Sequence, residues 1–205
     1  MGQGTGMDVS RETRARLERF AALLTQWNAR INLVSRQDIA QLWPRHIEDS
    51  LQLAPMIEPG SRVIDLGSGG GFPGLIVGIV RDLDLTLIES DHRKAAFLRE
   101  AARECGVRAR VLAERIERAS VEPAPVVTAR ALAALPQLLA WSRPLLAPGG
   151  RALFLKGRAW SHELTDAEGG WHMTHAITTS RTDPSSVILE VRDFSPKDEG
   201  REHGA

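Results

Sequence analysis

Residues 62–74 read RVIDLGSGGGFPG, a short apolar run that closes in a cluster of glycines. An apolar run of this length bounded by glycines is typical of a buried strand. Residues 74–80 are apolar on every side, which indicates a buried helix, and Pro73 suits the first turn of that helix. The stretch therefore predicts a strand, a glycine-rich turn and a helix, in the order found in α/β sheets.

The chain after this unit continues as alternating strands and helices. The sequence predicts strands at 83–89, 109–113, 125–128 and 151–155, and helices at 91–105 and 132–146, the latter ended by Pro148, Gly149 and Gly150. Two final strands, 172–178 and 186–191, are joined by a turn at Asp183 and Pro184. Alternating strands and helices favour a parallel sheet, and a short turn between two strands favours an antiparallel pair. We therefore predict an α/β, doubly wound, Rossmann-like sheet with a terminal antiparallel strand pair.

The chain before this unit is predicted to be helical. Residues 11–30 place Leu17, Phe20 and Leu24 at helical spacing, and a second helix is predicted at 38–54, stopped near Pro55. The expected organisation is a flexible start at 1–10, a helical N-terminal extension at 11–60, a sheet domain at 61–196 and a flexible tail at 197–205.

The composition excludes several classes of protein. The 205 residues are 42% hydrophobic and carry 26 basic and 26 acidic side chains, which excludes whole-chain disorder and disfavours a strongly basic surface. The single cysteine, Cys105, excludes an intramolecular disulfide and a multi-cysteine zinc site, and it is expected to be packed rather than reactive. No apolar run reaches the ~18 residues of a membrane span, and the start shows no signal region. The single cysteine fits a reducing, cytoplasmic environment, and we expect a protein without membrane or metal, and a monomer.

Polar and glycine residues follow the ends of the predicted strands. They are residues 67–72, then Glu89 and Ser90, then Glu114, Ile116 and Glu117, then Arg130, and after the fifth strand Lys156. Ligands of open α/β sheets bind beyond the carboxyl ends of the strands. These residues are therefore predicted to share a pocket.

The glycine loop points to an adenosyl ligand. Gly69-x-Gly71-x-x-Gly74 matches the dinucleotide fingerprint, and Asp65-x-Gly67-x-Gly69-x-Gly71 overlays it. An acid two residues before the first glycine is typical of S-adenosylmethionine (SAM) sites, where Asp65 either orders the loop or meets the ammonium group through water. Glu89 comes 24 residues after Asp65, near the ~20 expected for a carboxylate on ribose hydroxyls. Nicotinamide enzymes use such an acid too.

Two other groups of residues are candidate ligand or substrate contacts, and each also has a purely structural explanation. Ile116 and Glu117 stand where a methyltransferase holds adenine, although Glu117 also fits a solvated charged run. His46, Asp49 and Ser50 fall on one helix face, either as substrate contacts or as a polar cluster that docks the helix on the sheet.

Several motifs between residues 23 and 157 resemble those of one family. They are Trp27-Asn28 with Asn32-Leu33, His46-Ile47-Glu48-Asp49-Ser50-Leu51, residues 65–74, Lys94-Ala95-Ala96-Phe97-Leu98, Thr128-Ala129-Arg130-Ala131 and Leu155-Lys156-Gly157. On these residues the chain resembles the ribosomal RNA small subunit methyltransferase G family, also called glucose-inhibited division protein B. Two positions depart from the family pattern, since Ala129 stands where Ser is frequent and 113–117 read AERIE.

The resemblance implies a fold, an activity and a set of site residues. The fold is that of a class I SAM-dependent methyltransferase, and the activity is transfer of methyl from SAM to N7 of one guanine of 16S ribosomal RNA near the decoding region, leaving S-adenosylhomocysteine. The partner is 16S rRNA, within a small ribosomal subunit or its precursor. The family's cofactor positions map to Gly67, Phe72, Ile116, Glu117 and Arg130. To these the glycine-loop pattern and the strand-end argument add Asp65, Ser68, Gly69 and Glu89 for the cofactor. Arg130 and Lys156, at strand ends, and His46, on the helix face described above, are predicted for the substrate.

The residues agree with chemistry at guanine N7. Methylation of pyrimidine C5 needs a cysteine nucleophile, and Cys105 lies on a helix away from the strand ends. Exocyclic amines are methylated beside an Asn/Asp-Pro-Pro-aromatic motif, where this chain has Thr128-Ala129-Arg130-Ala131. N7 carries a free lone pair, so no catalytic base is predicted. Arg14, Arg16 and Arg19 of the first helix are expected to touch the RNA backbone.

Three other functions stay open at this point. A small-molecule methyltransferase would share the fold and the glycine loop. A nicotinamide-dependent oxidoreductase is disfavoured by the Asp65 pattern and by the absence of tyrosine from the chain. A non-enzymatic RNA-binding module would not need Glu89 and a complete glycine loop.

Overall fold

The computed structural model describes residues 9–197. The expected flexibility of 1–10 and 197–205 therefore falls mostly outside the described residues. Ser10 and Lys197, at the two limits, do have defined contacts. The Ser10 hydroxyl accepts a hydrogen bond from the Thr13 N–H at 3.1 Å and caps the first helix, while Lys197 donates to the main-chain oxygen of Glu168.

Seven strands form one sheet. They are β1 (Arg62–Leu66), β2 (Asp84–Ile88), β3 (Ala109–Leu112), β4 (Ala124–Arg130), β5 (Leu146–Lys156), β6 (Trp171–Thr179) and β7 (Val187–Pro196). Their spatial order is β3-β2-β1-β4-β5-β7-β6. The first five pair in parallel, and β7 pairs antiparallel with both β5 and β6. The predicted α/β sheet with its antiparallel terminal pair is confirmed.

Helices cover both faces of this sheet. In chain order they are α1 (Arg11–Asn28), α2 (Arg36–Ala40), α3 (Asp49–Leu51), α4 (Gly74–Val80), α5 (His92–Glu104), α6 (Leu135–Ser142) and α7 (Trp160–Gly170). One buried cluster joins residues of α1, α4 and α5 to one face of the sheet, around Phe20, Leu75 and Phe97. A second cluster joins α6 and α7 to the other face, around Leu139 and Phe154.

The predicted helix at 38–54 is wrong as a single element. The chain instead forms α2, a π-helical segment (Trp43–Glu48), α3 and a 3-10 turn (Ala54–Met56). Pro44 has no N–H to donate to the Ala40 carbonyl, and its ring crowds that oxygen. Continuous α-helical hydrogen bonding therefore stops there, and the segment turns several times.

The predicted helix at 132–146 is too long. Helix α6 ends at Ser142, a 3-10 turn (Arg143–Leu145) follows, and β5 begins at Leu146. Pro148, Gly149 and Gly150 lie inside this strand, where the register with β4 shifts and Gly149 has a φ of 71°. Helix α7 was not predicted.

Two arginines of the first helix have defined hydrogen-bond partners within the protein. Arg16 donates to the main-chain oxygens of Cys105 and Gly106 at 2.7 and 3.1 Å, and Arg19 donates to that of Glu104 at 3.0 Å. They cap the carboxyl end of α5, at the edge of the sheet opposite the carboxyl ends of the parallel strands. The RNA contact expected of these two side chains stays a prediction. Cys105 is 1% exposed and packed, as expected, and burial raises its pKa to about 11.

Among the residues that the structure describes, no helix combines the length and the apolar character needed to cross a membrane.

Candidate active site

A cavity of about 460 Å³ lies at the carboxyl edge of the parallel strands, within the size range of small-molecule sites. The loops after β1, β2, β3 and β4 all contribute to it. Of the predicted cofactor and substrate residues, nine line it: His46, Gly67, Ser68, Gly69, Phe72, Glu89, Ile116, Glu117 and Arg130. We call this space the first cavity.

The glycine loop forms the floor of the first cavity. Gly67 has a φ of 59°, and a Cβ at this position would lie 2.4 Å from Cδ1 of Leu132. A Cβ on Gly74 would lie 2.5 Å from Cβ of Asp65. Glycine at both positions lets strand, loop and helix approach closely and leaves main-chain surface facing the cavity.

Asp65 lies behind this loop and does not line the first cavity. It is fully buried, and its Oδ1 accepts a hydrogen bond from the Thr128 hydroxyl at 2.6 Å. Burial raises the pKa of Asp65 to about 6, and the hydrogen bond from Thr128 offsets part of this effect. Of the two roles predicted for Asp65, the position favours ordering the loop.

Glu89 connects the end of β2 to the glycine loop. Its Oε2 accepts from the Gly69 N–H at 2.9 Å, and its Oε1 accepts from the Asp91 N–H at 2.8 Å. The residue is 8% exposed and lines the first cavity. Each carboxylate oxygen has a second lone pair, so Glu89 can hold the loop and accept from a ligand hydroxyl at once.

Ile116 and Glu117 stand on a 3-10 turn (Ile116–Arg118) after β3. The indole N–H of Trp141, on α6, donates to Oε1 of Glu117 at 3.0 Å. Glu117 is exposed and lines the first cavity, and this hydrogen bond ties its carboxylate to α6. Nothing in the local sequence pattern pointed to Trp141.

His46 enters the first cavity from the N-terminal extension. Its ring centroid lies 4.9 Å from that of Phe72, and its Nε2 is 3.6 Å from the Asp38 carboxylate. Burial, together with the positive charge of Arg130, lowers the pKa of His46 to about 4. The ring is therefore neutral at pH 7, and its contact with Asp38 is not an ion pair at that pH.

A second cavity, of about 600 Å³, lies beside the first over the ends of β4, β5 and β7. Arg130, Ala131 and Leu132 line both cavities and form their common wall. The sequence placed Lys156 in one shared pocket with the cofactor residues, which is wrong, because Lys156 lines only the second cavity.

Lys156 is held in the second cavity by an ion pair. Its Nζ lies 2.5 Å from Oε2 of Glu163 and donates to the main-chain oxygen of Ala133 at 2.9 Å. The same Glu163 oxygen accepts from the Leu135 N–H at the start of α6. Since Glu163 stands on α7, which was not predicted, the pair could not be read from sequence.

Charged side chains are distributed differently between the two cavities. The first has four carboxylates (Asp38, Glu89, Glu114, Glu117) against three cations (Lys94, Arg115, Arg130). The second has four cations (Arg45, Arg130, Lys156, Arg158) against three carboxylates (Asp49, Glu163, Asp183). The linings thus differ in sign by one charge each, and two cations of the second cavity, Lys156 and Arg130, lie beside carboxylates of the same cavity, Glu163 and Asp49.

The first cavity suits SAM on these grounds. It offers one buried carboxylate, Glu89, and three more accessible ones for hydroxyl and ammonium groups, an apolar wall at Ile116 and Leu132, and main-chain surface at the glycines. Within residues 9–197, no group of three His, Cys, Asp or Glu side chains could hold a metal ion.

Comparisons with known proteins address the family of the chain. The family model described as GidB, rRNA small subunit methyltransferase G, matches residues 13–186. The ribosomal RNA small subunit methyltransferase G of Gluconobacter oxydans (strain 621H) is 63% identical over 186 residues, which cover 91% of this chain and 96% of that protein. The protein of the same name from Acidiphilium cryptum (strain JF-5) is 56% identical over 209 residues, covering 94% of this chain and 96% of that protein.

A solved structure supports the fold. The crystal structure of a TehB-like SAM-dependent methyltransferase from Corynebacterium glutamicum superposes with a TM-score of 0.55 at 18% identity, over 78% of this chain and 97% of that chain. The sheet is thus that of a class I SAM-dependent methyltransferase. With SAM as its cofactor, and with a family match over most of its length, the chain belongs to the rRNA small subunit methyltransferase G family.

Proposed function

We propose that this SAM-dependent methyltransferase methylates N7 of one guanine in 16S ribosomal RNA, near the decoding region, in the bacterial cytoplasm. The observation that carries the proposal is the pair of adjoining cavities, one suited to SAM and one to a nucleotide, with a common wall at residues 130–132. The family match supports a ribosomal RNA acceptor.

In this proposal the first cavity holds the cofactor. Glu89 accepts from ribose hydroxyls, Ile116 and Glu117 flank the adenine, and the main chain of Gly67, Ser68 and Gly69 lies against the amino-acid part. Phe72 and Arg130 close the side towards the second cavity, and Asp65 acts through the loop. When bound, SAM supplies a methyl group on a positively charged sulfur, which makes that carbon electrophilic.

The second cavity is proposed to take the acceptor nucleotide. Arg130 and Lys156 attract its phosphate, and Arg45 and Arg158 add positive charge to the same wall. His46 lines the first cavity beside Phe72, is neutral at pH 7, and is proposed to contact the base where it reaches over the common wall towards the methyl group. Zero formal net charge predicts weak binding to naked RNA, so structured rRNA or an assembled subunit is the expected substrate.

No catalytic base is assigned. Guanine N7 presents a lone pair, and no proton leaves it when it is methylated. The residues of both cavities then accelerate the reaction by orientation and by excluding water, and good orientation contributes up to ~7–11 kcal/mol.

The test is methyl transfer from labelled SAM to small ribosomal subunits that lack native methylation, followed by borohydride–aniline cleavage at N7-methylguanine. We expect one cleavage site in 16S rRNA, and no label when fully methylated subunits are the acceptor. Absence of label in RNA, with SAM still bound, would instead indicate a small-molecule acceptor. Comparable activity on short random oligonucleotides would contradict the proposed substrate.

A further inference from the structure

Asp49 joins the N-terminal extension to the turn between β6 and β7. Its side chain is 13% exposed, and Oδ1 accepts hydrogen bonds from Gln52 Nε2 at 3.1 Å, Ser180 Oγ at 3.1 Å and Thr182 Oγ1 at 3.0 Å. Ser180 and Thr182 belong to the turn between β6 and β7, more than 130 positions away in sequence. One carboxylate oxygen therefore fastens this turn to the N-terminal extension.

Gln52 makes a second link to the same turn. Its Oε1 accepts from the Arg181 N–H at 2.7 Å, and its Nε2 donates to the Ser180 hydroxyl at 3.0 Å. Gln52 and Ser180 are each only 5% exposed. A buried network with this many satisfied partners holds a single geometry.

The other oxygen of Asp49 faces the common wall of the two cavities. Oδ2 lies 3.6 Å from Nε of Arg130, whose guanidinium also donates to the main-chain oxygen of Arg45 at 2.8 Å. The guanidinium carbon lies 5.8 Å from the centroid of the Phe72 ring. A largely buried guanidinium needs a charged partner, and here that partner is itself fixed by three donors.

We propose that Asp49 is a positioning residue for the acceptor. It directs Arg130 along the wall between the cavities, and through the turn it sets Asp183, Ser185 and Ser186 on the far wall of the second cavity. The two walls that would hold the acceptor nucleotide are thereby set by one side chain. This inference rests on the proposed function for the identity of the acceptor.

The test is a double-mutant cycle of Asp49→Asn and Arg130→Lys. Asparagine keeps an oxygen acceptor for the turn and removes the charge that faces Arg130. We expect Asp49→Asn alone to lower kcat/KM for undermethylated small subunits about tenfold, mainly through KM, and less than about twofold in the Arg130→Lys background. Melting temperatures of the unmodified protein, the two single variants and the double variant measure stability. The changes in melting temperature of the two single variants are expected to add in the double variant.

Two further variants keep the result decisive. Asp84→Asn removes a carboxylate that pairs with Arg62 at 3.1 Å, at the opposite end of the strands, and should leave kcat/KM unchanged in both backgrounds. Ser180→Ala removes one donor to Asp49 while keeping the Arg130 pair, and should give a smaller loss that also shrinks with Arg130→Lys. If Asp49→Asn does not fold, Ser180→Ala decides in its place.

The outcomes separate this inference from the proposed function. Equal losses in both backgrounds, or no loss in either, would overturn the positioning role of Asp49. If the unmodified protein binds SAM but does not label small subunits, the proposed function is what fails.

Discussion

Gly67 shows at the scale of one residue how the glycine loop excludes side chains. The position combines a positive φ with a neighbour, Leu132, that a Cβ would approach to 2.4 Å. Gly60 has a similar φ of 79° but no atom within 4 Å of the Cβ position, which makes it a matched control. Backbone strain and steric exclusion can therefore be separated within this chain.

We expect Gly67→Ala to raise the Kd for SAM at least about tenfold, since a shift of Leu132 into the first cavity removes space for the ligand. Gly60→Ala should leave Kd unchanged, although both variants lose about 1 kcal/mol of stability to the left-handed backbone. Titration by tryptophan fluorescence measures Kd. Leu132→Ala in combination with Gly67→Ala should restore part of the affinity, and a Kd that does not recover would argue against the steric explanation.

His46 makes the stability of the protein sensitive to acid. Its pKa is about 4 in the folded protein, below the value near 6.5 expected when it is unfolded. A depressed histidine pKa means that the unfolded state binds the proton more tightly, so stability is full above pH 6.5 and falls as the pH drops towards 4. Asp65 has the opposite sign, since its raised pKa favours the folded state as the pH falls from 6 to 4.

Between pH 7 and pH 5, His46 is expected to lower the free energy of unfolding of the unmodified protein by about 2 kcal/mol. The His46→Gln variant should not show this decrease. Urea unfolding at both pH values measures it. Asp65→Asn should change the pH dependence in the other direction, with stability lost more steeply on acidification. Parallel pH curves for His46→Gln and the unmodified protein would show that His46 is not buried as neutral imidazole.

At the scale of elements, α5 depends on α1 for its carboxyl end. The last carbonyls of a helix lack partners within the helix, and Arg16 supplies two charged hydrogen bonds there. Arg14, two residues earlier, pairs instead with the exposed Glu18 at 3.1 Å. Arg16 therefore bonds to the end of another helix, whereas Arg14 pairs within its own helix, although both lie in the same arginine-rich stretch of sequence.

We expect Arg16→Gln to cost about 2 kcal/mol of unfolding free energy, because its partners are main-chain oxygens that lose a charged donor. Arg14→Gln should cost less than about 1 kcal/mol, as exposed ion pairs do. Neither change should alter the affinity for small subunits at low salt. A weaker affinity for Arg16→Gln with unchanged stability would restore the RNA contact expected from sequence.

At the scale of the whole molecule, the helical extension and the sheet share one core. Phe20 of α1 is fully buried, with its ring 5.6 Å from that of Phe72 and 6.2 Å from that of Phe97. The division into an extension at 11–60 and a sheet domain at 61–196 then describes the order of elements along the chain. We infer that both parts unfold together.

Phe20→Ala is expected to lower the free energy of the whole unfolding transition by about 3–5 kcal/mol, as large core truncations do. Phe194→Ala, in the cluster on the other face of the sheet, should lower the same transition. Urea unfolding followed by circular dichroism and by tryptophan fluorescence should give coincident curves for both variants. A separate early transition for Phe20→Ala would mean that the extension unfolds on its own.

Local periodicity was enough to predict most of the elements. Strand β1 and helix α4 have the predicted bounds, since an apolar run, a glycine cluster and a proline specify them within 20 residues. The approximate positions of α5, β2 and β3 followed for the same reason. The predicted order of strands and helices implied the carboxyl edge of the sheet as the site, so nine of the predicted residues line the first cavity.

Other features depended on contacts between distant segments, which no local pattern contains. Sequence placed Lys156 with the cofactor residues, whereas packing of α7 and β7 beside β5 opens a second cavity around it. The sequence pattern at Asp65 predicts a ligand contact. In the structure Asp65 is instead buried behind the loop, because Thr128 of β4 and Gly74 of α4 pack against it. The fold, the edge of the sheet that carries the site and an adenosyl cofactor follow from periodicity and short motifs, which are properties of neighbouring residues. The meeting of particular polar and charged side chains at that edge depends on the packed structure, because their partners lie up to 133 positions apart along the chain.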